Sequence, residues 1–238
     1  MFQPPVTTQW IDITSNDGET FNGYLALPPA GIGPGILLIQ EIFGVNHHIR
    51  AIAEQYAMDG YVVLAPDIFW RQEPGVELGY EGDDMQKAVR LVNEIDFQVA
   101  VTDLTSTTEA LRQRPECEGE VAAIGYCMGG ILAYLAALEA GVDRAACFYP
   151  GGIAQHLDKA ENLKVPIQFH FAGDDQHITT DHVEQTRQAF TGCRDASIHT
   201  YEGADHGFNC WARGSYQRHA AALSHGRVLG FLENNTLG

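Results

Sequence analysis

The stretch IGYCMGGILAY, residues 124–134, carries a reactive side chain in a setting suited to reaction. Gly125-Tyr126-Cys127-Met128-Gly129 has the form G-x-nucleophile-x-G, and it stands between EVAAIG, a run of strand length, and ILAYLAALEAG, a run of helix length. A sharp strand-to-helix turn strains the backbone of the residue at its apex, and only near-hydrogen side chains two positions away let strand and helix close on each other. A free thiol with a pKa of about 8.5 is only about 3% thiolate at pH 7, so acyl transfer by Cys127 needs a neighbouring imidazole to accept its proton. A structural cysteine buried in a Gly-rich turn would show the same pattern, and the rest of the chain has to separate the two readings.

Two later segments offer the missing groups. AGDDQHI puts Asp174 and Asp175 just past one apolar run, and YEGADHGFN puts His206 just past the next. His206 would supply the base, and an aspartate would fix its tautomer and stabilise the imidazolium. The order nucleophile, acid, histidine agrees with α/β-hydrolases.

Positioning these groups requires a sheet whose strands end together. WIDITS and FNGYLALP, joined by NDGE, read as an antiparallel hairpin. GILLIQ and YVVLAP read as buried strands, with a helix between them that stops at Gly60. DIFWRQEPGVELGYEGDD is a Gly- and Pro-punctuated loop that could wall a pocket, and from Met85 to about Arg112 the pattern is helical with a break near Asp96. EVAAIG, RAACFYP, VPIQFHFAG and ASIHTYEG read as four more strands, with helices at about 180–190 and 216–232. This alternation predicts an α/β fold over residues 1–238 as one domain, with a mainly parallel central sheet and helices on both faces. Open sheets of this kind place their sites at the carboxyl ends of the strands, where the three reactive loops converge.

QEIFGVN, APDIFWRQEPG, GYCMGG, DDQHI and YEGADHGFN together resemble the dienelactone hydrolase family, a cysteine-nucleophile, carboxymethylenebutenolidase-like branch of the α/β-hydrolases, over nearly the whole chain. The resemblance implies an α/β-hydrolase fold and hydrolysis of a small ester or lactone without a cofactor. It implies Cys127 as nucleophile, His206 as base and Glu41 as an extra carboxylate beside the thiol. It implies Asp175 as the acid, since the Asp175-Gln176-His177-Ile178 register fits the family and Asp174 stands one place early. The oxyanion donors would then be the amides of Met128 and Ile42. Glu41 would either disfavour the thiolate by its charge or, if desolvated, accept the thiol's proton. The chain departs from the family at two substrate-binding arginines, where it carries Met85 and Cys210; Arg71 and Arg213 are the available substitutes. Phe43, Trp70, Phe208 and Trp211 are candidate pocket walls, equally readable as core.

The same residues admit other readings. A thioesterase or broad carboxylesterase would use the same triad, and an idle small-molecule binder would have no need of all three groups. His47 and His48, at a helix start, are expected to be exposed, and His170 to be a satisfied core histidine, while His177 is placed near the site. Cys117, Cys147 and Cys193 read as structural thiols. No HxH or HExxH spacing supports a metal site.

The chain has 14 Lys plus Arg against 31 Asp plus Glu, a formal net charge of −17, which repels phosphate backbones and anionic membranes. At 45% hydrophobic and 19% charged residues it has material for a packed core. The segment MFQPPVTTQW lacks a basic start followed by an apolar stretch, and five cysteines without a CxxC pair suit reduced thiols. The expectation is a cytoplasmic monomer or homodimer. NNT near the C-terminus matches a glycosylation acceptor by chance.

Overall fold

The computed structural model describes residues 6–233; the NNT match lies outside them. Eight strands form one sheet in the order β1-β2-β4-β3-β5-β6-β7-β8. β1 (Thr7–Thr14) and β2 (Thr20–Leu27) pair antiparallel around the Asn16–Glu19 turn, as the NDGE segment predicts. β2 also pairs antiparallel with β4 (Val62–Pro66), and from there the sheet is parallel through β3 (Gly33–Ile39), β5 (Cys117–Tyr126), β6 (Arg144–Phe148), β7 (Ile167–Ala172) and β8 (Ala196–Tyr201). β4, β6 and β7 are buried at every position, so both faces of this part of the sheet are covered.

Six helices connect and cover the strands: α1 (His47–Met58), α2 (Gly82–Glu94), α3 (Phe97–Arg112), α4 (Met128–Glu139), α5 (Thr180–Ala189) and α6 (Arg218–Glu233). The break anticipated near Asp96 is a helix start. Its carboxylate caps α3 by accepting from the amides of Gln98 and Val99 at 2.9 and 3.2 Å. α3 packs on α4 and on β5, while α4 is buried along nearly its whole length. A helix buried this fully has no polar face for solvent and serves as the rigid backing of β5. No helix among the described residues is long and apolar enough to cross a membrane.

The topology brings four chain reversals to one end of the sheet. The loop after β3 carries Glu41 and Ile42, the turn after β5 carries Cys127, and the loops after β7 and β8 carry Asp175 and His206. β3, β5, β6, β7 and β8 run parallel, so their carboxyl ends lie side by side.

Candidate active site

Cys127 stands between the last residue of β5 and the first of α4 with φ 56° and ψ −115°. L-residues rarely adopt this region, at a cost of about 1–3 kcal/mol, and the surroundings hold it there. The Cys127 amide donates to the Phe148 carbonyl at 3.0 Å, and the amide of Gly130 donates to the Cys127 carbonyl at 2.9 Å. The flanking glycines are steric necessities. A Cβ on Gly125 would lie 1.8 Å from the Gly129 carbonyl oxygen, and one on Gly129 would lie 2.3 Å from that of Ile39. Met128 opens α4, so its amide has no acceptor one turn back along the helix.

Asp175 and His206 meet across the ends of β7 and β8. The His206 Nδ1 and Asp175 Oδ2 atoms are 2.8 Å apart, with side chains 7% and 0% exposed. The other carboxylate oxygen accepts from the amides of His177 and Ile178 at 2.8 and 3.0 Å, which fixes its direction. Asp174 is exposed and is held by its backbone, the amide donating to the Ala204 carbonyl at 2.8 Å. Burial works to raise the Asp175 pKa, but the hydrogen bond and charge of His206 and the two amides outweigh it and leave the carboxyl below its ordinary value.

His206 is buried, which by itself depresses an imidazole. The charge of the Cys127 sulfur, hydrogen bonding of the ring to Asp175 and Cys127, and the charge of Asp175 overcome this and push it up to about 10. The charge of the sulfur and the bonded carboxylate therefore both act on this one ring. The ring of His177 stands edge-on to that of His206, with centroids 5.1 Å apart.

Glu41 is 1% exposed. Desolvation raises its carboxyl, and the charges of Arg213 and His206 only partly offset this. Arg213 Nη1 donates to Glu41 Oε1 at 3.3 Å, and the guanidinium lies 5.7 Å from the Phe43 ring centroid and 5.8 Å from that of Tyr80. Asn46 anchors this wall, its side-chain amide donating to the Leu78 carbonyl and the Tyr80 hydroxyl, both at 3.1 Å.

Of the two substitute arginines, Arg71 is committed elsewhere. Its Nε and Nη2 clasp Asp103 of α3 at 2.8 Å each, and Nη1 reaches Asp17 at 2.8 Å. Trp70 shares that corner, donating from Nε1 to Asp103 at 2.9 Å and stacking on Phe21. Neither side chain is free to meet a substrate beside Cys127, which corrects the expectation for both. Phe208 is fully buried against Tyr149, Phe148 and Tyr201 and belongs to the core beneath His206. Trp211 is 44% exposed and stands edge-on to His48.

His48 also departs from expectation. His47 is exposed, but His48 is 2% exposed, because the loop after β8 folds over the start of α1. Burial and the nearby Arg213 charge hold its imidazole down to about 4, so it is neutral. His170 is a core histidine, with Nδ1 2.7 Å from the Tyr201 hydroxyl and Nε2 2.8 Å from Gln168 Oε1. Cys147 is buried and Cys117 partly so, whereas Cys193 is exposed and has no packing role.

Tyr149 escaped sequence reasoning. It sits just past β6 with φ 33°, its ring centroid is 5.0 Å from that of His206, and its buried hydroxyl makes no hydrogen bond among the described residues. The signal was available in FYPGG, a strand end running into Pro-Gly-Gly.

Comparison with known proteins agrees with this geometry. The profile of the Dienelactone hydrolase family matches residues 21–236. Carboxymethylenebutenolidase of Pseudomonas putida is 34% identical over 226 residues, covering 94% of this chain and 96% of the relative. That of Pseudomonas sp. (strain P51) is 32% identical over 228 residues, covering 95% of each. Among solved structures, dienelactone hydrolase from Anabaena variabilis superposes with a TM-score of 0.72 at 14% identity over 96% of this chain and 98% of its own. A dienelactone hydrolase-like promiscuous phosphotriesterase from metagenomic libraries does so with a TM-score of 0.82 at 22% identity over 97% and 99%. These two likenesses speak for the fold, an α/β-hydrolase fold with an N-terminal antiparallel hairpin. The matched profile and the relatives speak for more: the chain belongs to the dienelactone hydrolase family and is a hydrolase of ester and lactone bonds.

Proposed function

We propose that the protein cleaves a small ester or lactone through an acyl-cysteine intermediate on Cys127. The observation that carries this reading is the 2.8 Å contact between His206 and Asp175, on a ring that also feels the charge of the Cys127 sulfur. His206 takes the thiol proton, and the thiolate attacks the carbonyl carbon. The resulting oxyanion is received by the amides of Met128 and Ile42, each a donor whose loss costs about 3–4 kcal/mol in comparable sites. The C–O bond then breaks, and His206 returns the proton to the leaving alkoxide, which in a lactone stays tethered to the acyl group. Water attacks the thioester with His206 as base, the carboxylic acid departs, and the thiol is restored.

Glu41 and Arg213 give the site its preference. Desolvation raises the Glu41 carboxyl, which lessens the charge it sets against the thiolate that His206 generates. Arg213, half-buried and held by one carboxylate, is the cation suited to a substrate's own carboxylate. The substrate class is therefore a small ester or lactone bearing an anion, handled as a single domain by a cytoplasmic protein without nucleic-acid or membrane partners.

A panel of small lactones, nitrophenyl esters and acyl-thioesters, run with wild type and Cys127→Ser, tests the reading together with mass spectrometry of the quenched enzyme. Turnover of lactones and esters with an acyl adduct on the Cys127 peptide is expected, with turnover sharply reduced in the serine variant. A strong preference for thioesters would displace the lactone reading, and full activity without any adduct at Cys127 would end it.

A further inference from the structure

We propose that Glu41, His48 and Cys210 form a binding site for a divalent metal ion of the zinc class, and that the ion stops hydrolysis by taking Glu41 from Arg213. The donor atoms of the three side chains lie within 4.8 Å of one another, and all three residues are buried. They arrive from three places: the loop after β3, the first turn of α1 and the loop after β8.

His48 points to a ligand. Its ring is 2% exposed, and neither nitrogen makes a hydrogen bond among the described residues. Buried polar groups are otherwise paired, as His170 is at both nitrogens. Neutral imidazole is also the form that binds metals.

The donor set selects the ion. Thiolate, imidazole and carboxylate are the ligands of zinc and its first-row neighbours, and three protein ligands leave a fourth tetrahedral position open. Magnesium and calcium require oxygen ligands and are excluded by Cys210 and His48. With metal–ligand bonds of about 2.0–2.3 Å, a tetrahedral ion needs donors about 3.3–3.8 Å apart, so the three side chains need close by no more than about 1.5 Å. Binding replaces the S–H bond of Cys210 with a metal–sulfur bond and releases the proton to solvent.

Arg213 is the competitor. Its guanidinium holds Glu41 from 3.3 Å, and a doubly charged ion on the same carboxylate displaces it. The inhibitory half of the proposal rests on the roles assigned above to Glu41 and Arg213, but the metal site itself does not.

The test uses the full chain, stripped of metal, and Co²⁺ alone as probe. One equivalent should give a thiolate-to-cobalt charge-transfer band in wild type and equally in Cys127→Ser, and Zn²⁺ should displace it. The band should vanish in Cys210→Ser, and affinity should fall by more than about 100-fold in His48→Gln, since a direct ligand matters more than an outer-shell partner. Circular dichroism identifies any variant that has not folded, and the other then carries the test. Loss of the band in Cys127→Ser, its persistence in Cys210→Ser, or no binding at all would overturn the site. In the activity arm, Zn²⁺ should inhibit wild-type cleavage of a nitrophenyl ester, while Cys210→Ser keeps the metal-free rate and resists the ion. Binding without inhibition overturns the inhibitory role. A wild type with no esterase activity counts against the functional reading and leaves the spectra to judge the site.

Discussion

The loops after β4 and β8 each carry an arginine, Arg71 and Arg213, and the two are held in opposite ways. Arg71 spends three nitrogens on two carboxylates: a two-pronged clasp on buried Asp103, a third contact to Asp17, and its flat face on Trp70. Arg213 makes one side-chain hydrogen bond among the described residues, a 3.3 Å contact to Glu41, with aromatic rings below it. A guanidinium whose fork is filled can only brace the chain, whereas one with a single long contact retains the geometry to receive a second carboxylate. The β4 loop thus ties the hairpin and α3 together, and the β8 loop carries chemistry.

The sharpest separation of the two corners comes from Asp175→Asn. It should lower kcat by about 10⁴-fold, because the imidazole loses its tautomer and orientation, while circular dichroism and the Arg71 corner stay unchanged. A loss below about tenfold would show that His206 does not depend on this carboxylate.

Arg213→Gln is expected to lower kcat/KM by about 100-fold for a lactone bearing a carboxylate, and by less than about tenfold for a neutral ester. Equal losses on both substrates would make Arg213 a brace like Arg71 and erase the contrast.

Arg71→Ala should act on stability, reducing the unfolding free energy by about 2 kcal/mol because the buried Asp103 carboxylate is left with the neutral Trp70 indole N–H and no cation. Denaturant melts read the loss, and kcat/KM should stay within about twofold. A large activity loss with intact stability would return Arg71 to the substrate pocket.

The smallest effect is a difference in acid. The Asp175 carboxyl is held below its ordinary value, so its stabilisation is complete above the unfolded pKa of about 4 and fades as pH falls through the lower folded value. Wild type should therefore melt a few degrees above Asp175→Asn at pH 7, and the gap should close in acid. A gap that stays constant down to pH 2 would mean that the carboxylate's charge contributes nothing to the fold.

Much of this was legible in advance. Continuous apolar strands alternating with amphipathic segments gave the parallel sheet, and the interruption at Asp96 marked a helix cap. The glycines around Cys127 announced a turn too tight for side chains. Other assignments failed where a residue's neighbours come from distant segments. His48 reads as exposed from its place at a helix start, but the β8 loop covers it. Arg71 and Arg213 are indistinguishable as letters, since nothing local says that Asp103 and Asp17 wait for one and only Glu41 for the other. The Glu41, His48 and Cys210 group left no spacing to detect, because its members come together only through the order of the strands.

The amino-acid order by itself determined the strands, the helices, the tight turn at Cys127 and the family, because these depend on side-chain size, periodicity and backbone freedom within a few residues. Only the tertiary structure decided which carboxylate each cation meets and which imidazole is left without a partner. Those outcomes depend on distances of a few ångströms between segments far apart in the chain, the range at which hydrogen bonds and close ion pairs form.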